Sequence, residues 1–153
     1  MQARKVVTRS GRGFRGYFPS KKLNRLVEFE SILERDAIRI FENADEVIQY
    51  REQPTIVYYY TDGVQKKYYP DFELVLDSGQ IVHIEVKPSG KLANVEIAQK
   101  YHAIDQHYLA RSEYFVILTE HQIRTALNVD LYALINNSNL LKVKGVSHAT
   151  VLL

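Results

Sequence analysis

The residues whose types and spacing point most directly to chemistry are Asp71, Glu85 and Lys87. They lie on two segments that alternate apolar and polar residues, as half-buried strands do, on either side of a turn at residues 77–79. Because strand side chains alternate between faces, Glu85 and Lys87 share one face, and a hairpin places Asp71 beside them. Two carboxylates suit a hard divalent cation. A neighbouring lysine can stabilise charge on a phosphate or help deprotonate a water.

The same pattern has a simpler interpretation. A glutamate and a lysine separated by one residue occur often in strands, and here they would form an ion pair on a solvated strand face. Three features favour a metal–phosphate site instead: Pro70-Asp71, the glycine turn and Glu85-Val86-Lys87 follow each other in register. This is the arrangement called PD-(D/E)xK in metal-dependent nucleases.

A third acid, Glu34, precedes the hairpin on a segment where apolar residues recur at three- and four-residue spacing. This spacing predicts an amphipathic helix from about residue 27 to residue 42. Glu34 lies at the border of its apolar arc, where a helix meets a sheet edge, which is a sensible place for a metal ligand. Ser31 and Glu34 also fit a capping box, in which Glu34 only stabilises the start of a helix. The residues alone leave both roles open.

The positive charge of the chain is concentrated at its start. Residues 1–27 contain eight basic residues and no acid, whereas the remainder contains 12 basic and 18 acidic residues. Aromatic residues alternate with these cations, which suits phosphate contact combined with stacking. The alternative is a disordered, solubilising segment. The predicted DNA-binding residues are Arg9, Arg12, Arg15, Lys21, Lys22, Arg25 and Lys91.

The composition excludes several classes of protein. The 153 residues include no cysteine, so there is no disulfide framework and no zinc finger. The chain has neither an apolar run of membrane-spanning length nor a signal peptide, so we expect no membrane partner and a cytoplasmic location in a bacterial or phage-infected cell.

The order of the predicted elements is a helix, several antiparallel strands, a second helix at residues 91–110, a strand at 114–118 and further helices. It favours an α/β or α+β domain with one mixed central sheet flanked by helices. We expect residues 1–22 to form a basic arm that is extended or only loosely structured on its own, and residues 23–153 to form one domain. Thr119 and Gln122 predict the capped start of a helix. A further helix is predicted at residues 130–136. The apolar residues 140–153 predict a last strand or a docking segment.

From about residue 11 to residue 135 the chain resembles the TnsA-type transposase endonucleases. The resemblance implies a restriction-endonuclease-like core, with Glu34, Asp71, Glu85 and Lys87 at the active-site positions. Glu30 and Glu73 are the next candidates among the acids, and His83 is interpreted as a structural neighbour. The segments that support the resemblance are residues 16–22, 29–36 and 53–56, then 67–72 and 84–87.

The activity implied is hydrolysis of DNA phosphodiester bonds with one or two Mg²⁺ or Mn²⁺ ions held by Asp71, Glu85, Val86 and Glu34. Lys87 would orient or deprotonate the attacking water, or stabilise the transition state. The implied partners are DNA, a DDE-type transposase and an AAA+ regulator, with a homodimer as a further expectation. Proteins of this type typically continue into a C-terminal winged-helix-like domain, which we do not expect within residues 23–153. The alternatives are a stand-alone or phage head-completion nuclease and a non-catalytic DNA-binding assembly subunit.

Overall fold

The structure, a computed structural model, describes residues 14–125, 130–133 and 135. The strands are β1 (Gly16–Ser20), β2 (Arg25–Phe29), β3 (Val47–Glu52), β4 (Val57–Thr61), β5 (Val64–Tyr68), β6 (Phe72–Leu76), β7 (Ile81–Val86) and β8 (Tyr114–Leu118). The helices are α1 (Ile32–Asn43), α2 (Ser89–Leu92), α3 (Val95–Ala110) and α4 (Glu120–Thr125). Among these residues, no helix is long and apolar enough to cross a membrane.

A four-stranded sheet in the order β3-β6-β7-β8 forms the centre of the fold. In this sheet β6 is antiparallel to both β3 and β7, and β8 runs parallel to β7. In the β6–β7 hairpin, Phe72 is paired with Ile84 and Glu73 with His83. The hairpin predicted from the period-two pattern is therefore confirmed, and so is the mixed α/β architecture built on a mixed central sheet.

One face of this sheet packs against α1 and the β1–β2 hairpin. The alternate residues Phe72 and Leu74 of β6 are almost completely buried there, together with Leu33 and Phe41 of α1. The edge of the Phe72 ring meets the Phe41 ring at a centroid distance of 5.4 Å. This core fixes the position of α1, and therefore of Glu34, relative to the paired strands.

The other face of the sheet is covered by α3 and by the separate β4–β5 hairpin. Tyr101 and Tyr108 of α3 and Tyr59 of β4 are buried against Phe115 and Ile117 of β8. The ring of Tyr108 stacks on that of Phe115 with centroids 5.0 Å apart. Asp71, Glu85 and Lys87 project towards this second layer, which is unusually rich in tyrosine.

The start of the chain differs from the sequence prediction. The helix expected from residue 27 begins at Ile32, because Val27 and Phe29 belong to β2 and are buried in the first core. Their spacing of two fits a strand, because residues two apart lie on different sides of a helix. Phe29 also fits the helical pattern, since it precedes Ile32 and Leu33 by three and four residues. Residues 16–20 are extended, which is one of the two expected conformations, but they pair with β2 and so belong to the domain instead of a separate arm, with Gly16 opposite Phe29.

The long helix predicted for residues 91–110 is also different in the structure. It is divided into α2 and α3, because the Asn94 side chain accepts a hydrogen bond from the Ile97 N–H and starts a new helix. The capped start of α4 is confirmed, since Gln122 Oε1 accepts hydrogen bonds from the N–H and hydroxyl of Thr119. The predicted helix at residues 130–136 is described only at 131–133 and 135, which are helical, and residues 140–153 lie outside the described residues.

Candidate active site

The acids and the lysine predicted from the sequence line one cleft of about 290 Å³. It lies where the end of β7, the start of β6, the first turn of α1 and the first half of α3 meet. The residues lining it are Glu30, Glu34, Lys67, Tyr68, Tyr69, Asp71, Glu85, Val86, Lys87, Lys100 and Tyr101. All five residues that were predicted to be catalytic or metal-binding are therefore brought together.

Asp71 is the buried centre of this cleft, at 9% exposure. Its Oδ2 accepts a hydrogen bond of 2.8 Å from the Val86 N–H, which joins the two strands. Its backbone is held on the other side by Gln53, whose N–H donates to the Asp71 carbonyl at 2.9 Å. Burial and the nearby carboxylates of Glu85 and Glu34 raise the pKa of Asp71 well above its usual value. The cluster therefore favours a proton or a cation.

Glu85 is held by two tyrosine hydroxyls that the sequence analysis missed. Tyr101 donates to Oε1 and Tyr68 donates to Oε2, both at 2.6 Å. Burial and the charge of Glu85 raise the pKa of both tyrosines, so their hydroxyls remain protonated donors at neutral pH. A carboxylate has about four lone-pair sites, so these two bonds orient Glu85 and leave it able to bind a cation.

Lys87 lies beside Glu85 and over an aromatic ring. Its Nζ is 3.4 Å from Glu85 Oε1 and 5.7 Å from the centroid of the Tyr101 ring. Lys100 Nζ lies 5.4 Å from the same centroid. Two cations thus border the carboxylates at Tyr101, where they can contact an anionic substrate.

Glu34 takes part in a helix cap and also lines the cleft. Its N–H donates to Ser31 Oγ at 3.1 Å, and its Oε2 accepts from the Glu30 N–H at 2.8 Å. In a capping box the glutamate side chain usually accepts from the N–H of the N-cap residue, here Ser31, whereas in this protein it accepts from Glu30, the residue before it. The two roles that the sequence left open are therefore geometrically compatible, since the cap engages one carboxylate oxygen of a side chain that also raises the pKa of Asp71.

The donor set of the cleft fits a hard divalent cation. Its acidic side chains and the backbone supply oxygen ligands, which Mg²⁺ and Mn²⁺ prefer, and cysteine is absent from the chain. Among the described residues, however, no three acidic or histidine side chains already converge on one point. The carboxylates of Asp71, Glu85 and Glu34 would hold such a cation, and its positive charge would offset their mutual repulsion.

The next polar residues on the same sheet face form a network separate from the cleft lining. His83 joins Tyr108 through Nδ1 at 2.6 Å and Glu73 through Nε2 at 2.9 Å, and Arg51 pairs with Glu73 at 3.0 Å. Burial pushes the pKa of Glu73 upwards, but the hydrogen bonds from His83 and Arg51 outweigh it and lower that pKa. The interpretation of His83 as a structural neighbour remains a prediction, and this network supports it.

The predicted DNA-binding cations differ in their surroundings. Arg25 forms two hydrogen bonds of 2.9 Å with Glu52, and Lys22 Nζ donates to three backbone carbonyls around the end of α1. Lys21 and Lys91 are exposed, and Arg15 is half-buried. Arg9 and Arg12 lie outside the described residues. Lys22 and Arg25 thus have folding roles that a charge pattern does not reveal.

Replacing Lys22 with methionine is expected to destabilise the domain by about 1–3 kcal/mol, because the Nζ bonds to the carbonyls of Phe41, Ala44 and Val47 are lost. The matched variant Lys21→Met removes the same charge from an exposed neighbour and should leave stability unchanged. Urea denaturation of both proteins measures the difference. Equal stability of the two variants would show that the Lys22 bonds contribute nothing.

Comparison with known families agrees with this geometry. A family model described as "TnsA-like endonuclease N terminal" matches residues 44–120, about half of the chain. The match extends from the end of α1 to the start of α4 and includes Asp71, Glu85 and Lys87, whereas Glu34 precedes it. No curated protein matches the chain significantly.

Proposed function

Because the chain belongs to the TnsA-like endonuclease N-terminal family, we propose that it hydrolyses DNA phosphodiester bonds in a reaction that depends on Mg²⁺ or Mn²⁺. The observation that supports this most directly is the cleft in which Asp71, Glu85 and Lys87 meet on neighbouring strands. A solvated strand face would expose its carboxylates to water. Here Asp71 and Glu85 are buried, so their mutual repulsion is weakly screened.

Asp71, Glu85, Glu34 and the Val86 carbonyl would hold one or two divalent cations. When bound, such a cation supplies positive charge to the reacting phosphate and lowers the pKa of a water. The protein contributes orientation. The Val86 N–H fixes Asp71, and the hydroxyls of Tyr68 and Tyr101 fix Glu85. Side chains held in this way lose little freedom when substrate binds.

Lys87 has two possible roles in this proposal, and the cleft supports both. Its ammonium lies 3.4 Å from Glu85 and lines the cleft, where it would exchange a proton with the attacking water or stabilise negative charge on the phosphate. Lysine is the only predicted catalytic residue here that is not an acid.

The proposed setting is transposon-end cleavage, in which each domain cuts one strand. A double-strand break then requires either a homodimer or a partner DDE transposase, with an AAA+ regulator in the assembly. The family match supports this setting. The complete set of Glu34, Asp71, Glu85 and Lys87 favours an enzyme over a non-catalytic assembly subunit.

A supercoiled-plasmid assay tests the proposed activity. Purified protein with Mg²⁺ or Mn²⁺ is expected to convert supercoiled DNA to the nicked form, and EDTA should abolish the conversion. The resemblance to the TnsA-type endonucleases implies 5′-phosphate and 3′-hydroxyl ends, so DNA ligase should seal the nicks. Isothermal titration of Mn²⁺ into the protein provides a second measurement without DNA. Nicking that persists in EDTA, or no difference in Mn²⁺ binding between wild type and Asp71→Asn, would contradict the proposal.

A further inference from the structure

The β4–β5 hairpin presents an exposed face of unusual composition beside the cleft. We call this the ribbon face, and it consists of Tyr58, Tyr60, Gln65 and Lys67. The pairing of β4 with β5 sets Tyr58 opposite Lys67 and Tyr60 opposite Gln65, so the four side chains project on the same side. The two tyrosines are 45% and 64% exposed, although tyrosine usually lies partly buried.

The opposite side of the same hairpin is firmly held by the second core. Val57, Tyr59 and Tyr68 are at most 8% exposed and pack with α3. The edge of the Tyr68 ring contacts the ring of Phe115 at a centroid distance of 5.9 Å. The hairpin is therefore a rigid platform whose outer face has nothing packed on it among the described residues.

The ribbon face continues directly into the cleft. Lys67, at the end of this face, also lines the cleft, and the next residue, Tyr68, orients Glu85. Asp71 follows three residues later. A substrate strand that leaves the carboxylates on the side of β5 must therefore pass over Lys67 and Tyr58, which lie opposite each other, before it reaches Gln65 and Tyr60.

We propose that the ribbon face binds the DNA that flanks the scissile phosphate, an inference that rests on the proposed endonuclease function. Lys67 would contact a backbone phosphate, Gln65 would donate to phosphate or sugar oxygens, and Tyr58 and Tyr60 would stack on sugars or bases. A strand of five residues is about 17 Å long, and one DNA strand carries one phosphate per about 3.4 Å of helix axis, so about five phosphates lie along this length of the duplex.

Charge and chemistry favour DNA over a protein partner on this face. Lys67 gives the ribbon face a positive charge, and the one acid of the hairpin, Asp62, is in its turn. Exposed aromatic rings beside a lysine suit an anionic partner that also offers flat apolar surfaces. A protein partner would instead favour an apolar centre, whereas here the paired residues are Tyr–Lys and Tyr–Gln.

The first test compares two adjacent lysines. Lys67 is on the ribbon face, whereas Lys66 is paired with Tyr59 on the opposite side, although both are exposed. In an Asp71→Asn background, which prevents cleavage, Lys67→Glu is expected to weaken binding of labelled duplex DNA by about tenfold or more. It should also reduce the slope of log affinity against log salt by about one. Lys66→Glu makes the same charge change and should have a clearly smaller effect.

The second test examines the aromatic contribution. Tyr58→Ala and Tyr60→Ala are each expected to weaken DNA binding by about 5-fold to 100-fold, as expected for one lost stacking contact, with little change in salt slope. Val64→Ala is the control, since Val64 is 57% exposed and belongs to the other side of the hairpin. Fluorescence anisotropy gives the affinities, and circular dichroism confirms that each variant is folded.

The outcomes separate this inference from the proposed function. If wild type nicks DNA and all ribbon-face variants bind DNA as tightly as their background, the ribbon face does not bind DNA and the inference is overturned. If the variants alter the oligomeric state on size-exclusion chromatography while DNA affinity is unchanged, the face contacts protein, which also overturns it. If wild type neither binds nor nicks DNA, the proposed function itself fails.

Discussion

Replacing Asp71 with asparagine is expected to lower plasmid nicking by at least about 100-fold and, in EDTA at neutral pH, to make the domain more stable. Asparagine preserves the shape of the side chain and an oxygen that accepts the Val86 N–H. It removes the charge that a divalent cation requires, and a loss of several kcal/mol in transition-state stabilisation corresponds to this decrease in rate. An increase in stability combined with a loss of activity is characteristic of a carboxylate retained for function.

The gain in stability follows from the pKa of Asp71. Burial, Glu85 and Glu34 raise this pKa in the folded protein well above the usual 3.8, so the folded state binds a proton more tightly than the unfolded state. The contribution of Asp71 to stability is thus greatest below pH of about 4. It decreases as the pH rises from there through the folded-state pKa. At neutral pH the metal-free wild type is therefore destabilised, because the buried carboxylate of Asp71 is charged and is repelled by Glu85 and Glu34.

Thermal unfolding in EDTA measures this effect directly. Asp71→Asn should raise Tm by at least about 2 °C at pH 7.5, which corresponds to about 1 kcal/mol in a domain of this size, and the difference should shrink at pH 4. Added Mn²⁺ should raise the Tm of wild type and leave that of the variant unchanged. Asp62→Asn, in the exposed turn of the β4–β5 hairpin, provides the control. A variant that is less stable than wild type in EDTA would contradict the repulsion argument.

The core of this site could be predicted from the sequence because it depends on local geometry. Alternation along β6 and β7 places Glu85 and Lys87 on one face, and a short turn brings Asp71 beside them. The partners of Glu85 could not be predicted in the same way. Tyr68 and Tyr101 come from a neighbouring hairpin and from α3, and in a periodic pattern a tyrosine that donates a hydrogen bond looks the same as one that fills a core.

The errors at the start of the chain have a similar physical origin. A charge pattern shows that a segment is positively charged but not which groups its side chains contact, so the sequence does not distinguish Lys22 from Lys21. Phe29 fits a strand with Val27 and a helix with Ile32 and Leu33, and only the burial of Val27 and Phe29 in the first core decides between the two periodicities. Tertiary packing thus overrode the helical pattern upstream of Ser31.

Two substitutions at the start of α1, one at Glu34 and one at Ser31, distinguish the role of Glu34 in the helix cap from its role in the cation site. Glutamine replaces glutamate in capping boxes, so Glu34→Gln should retain the bond from the Glu30 N–H and leave the stability of α1 nearly unchanged. It removes one negative charge beside Asp71. Mn²⁺ affinity is therefore expected to fall by about 10-fold to 100-fold, with nicking reduced at least as much.

Ser31→Ala makes the opposite change, because it removes the hydroxyl that accepts the Glu34 N–H and retains the carboxylate. It should cost about 1 kcal/mol of stability and leave Mn²⁺ affinity nearly unchanged. Calorimetric titration and urea denaturation of both variants give a two-by-two comparison. If Glu34→Gln binds Mn²⁺ and nicks DNA as wild type does, Glu34 serves the helix alone. If both variants lose stability and metal affinity together, the cap and the cation site are coupled through the position of α1.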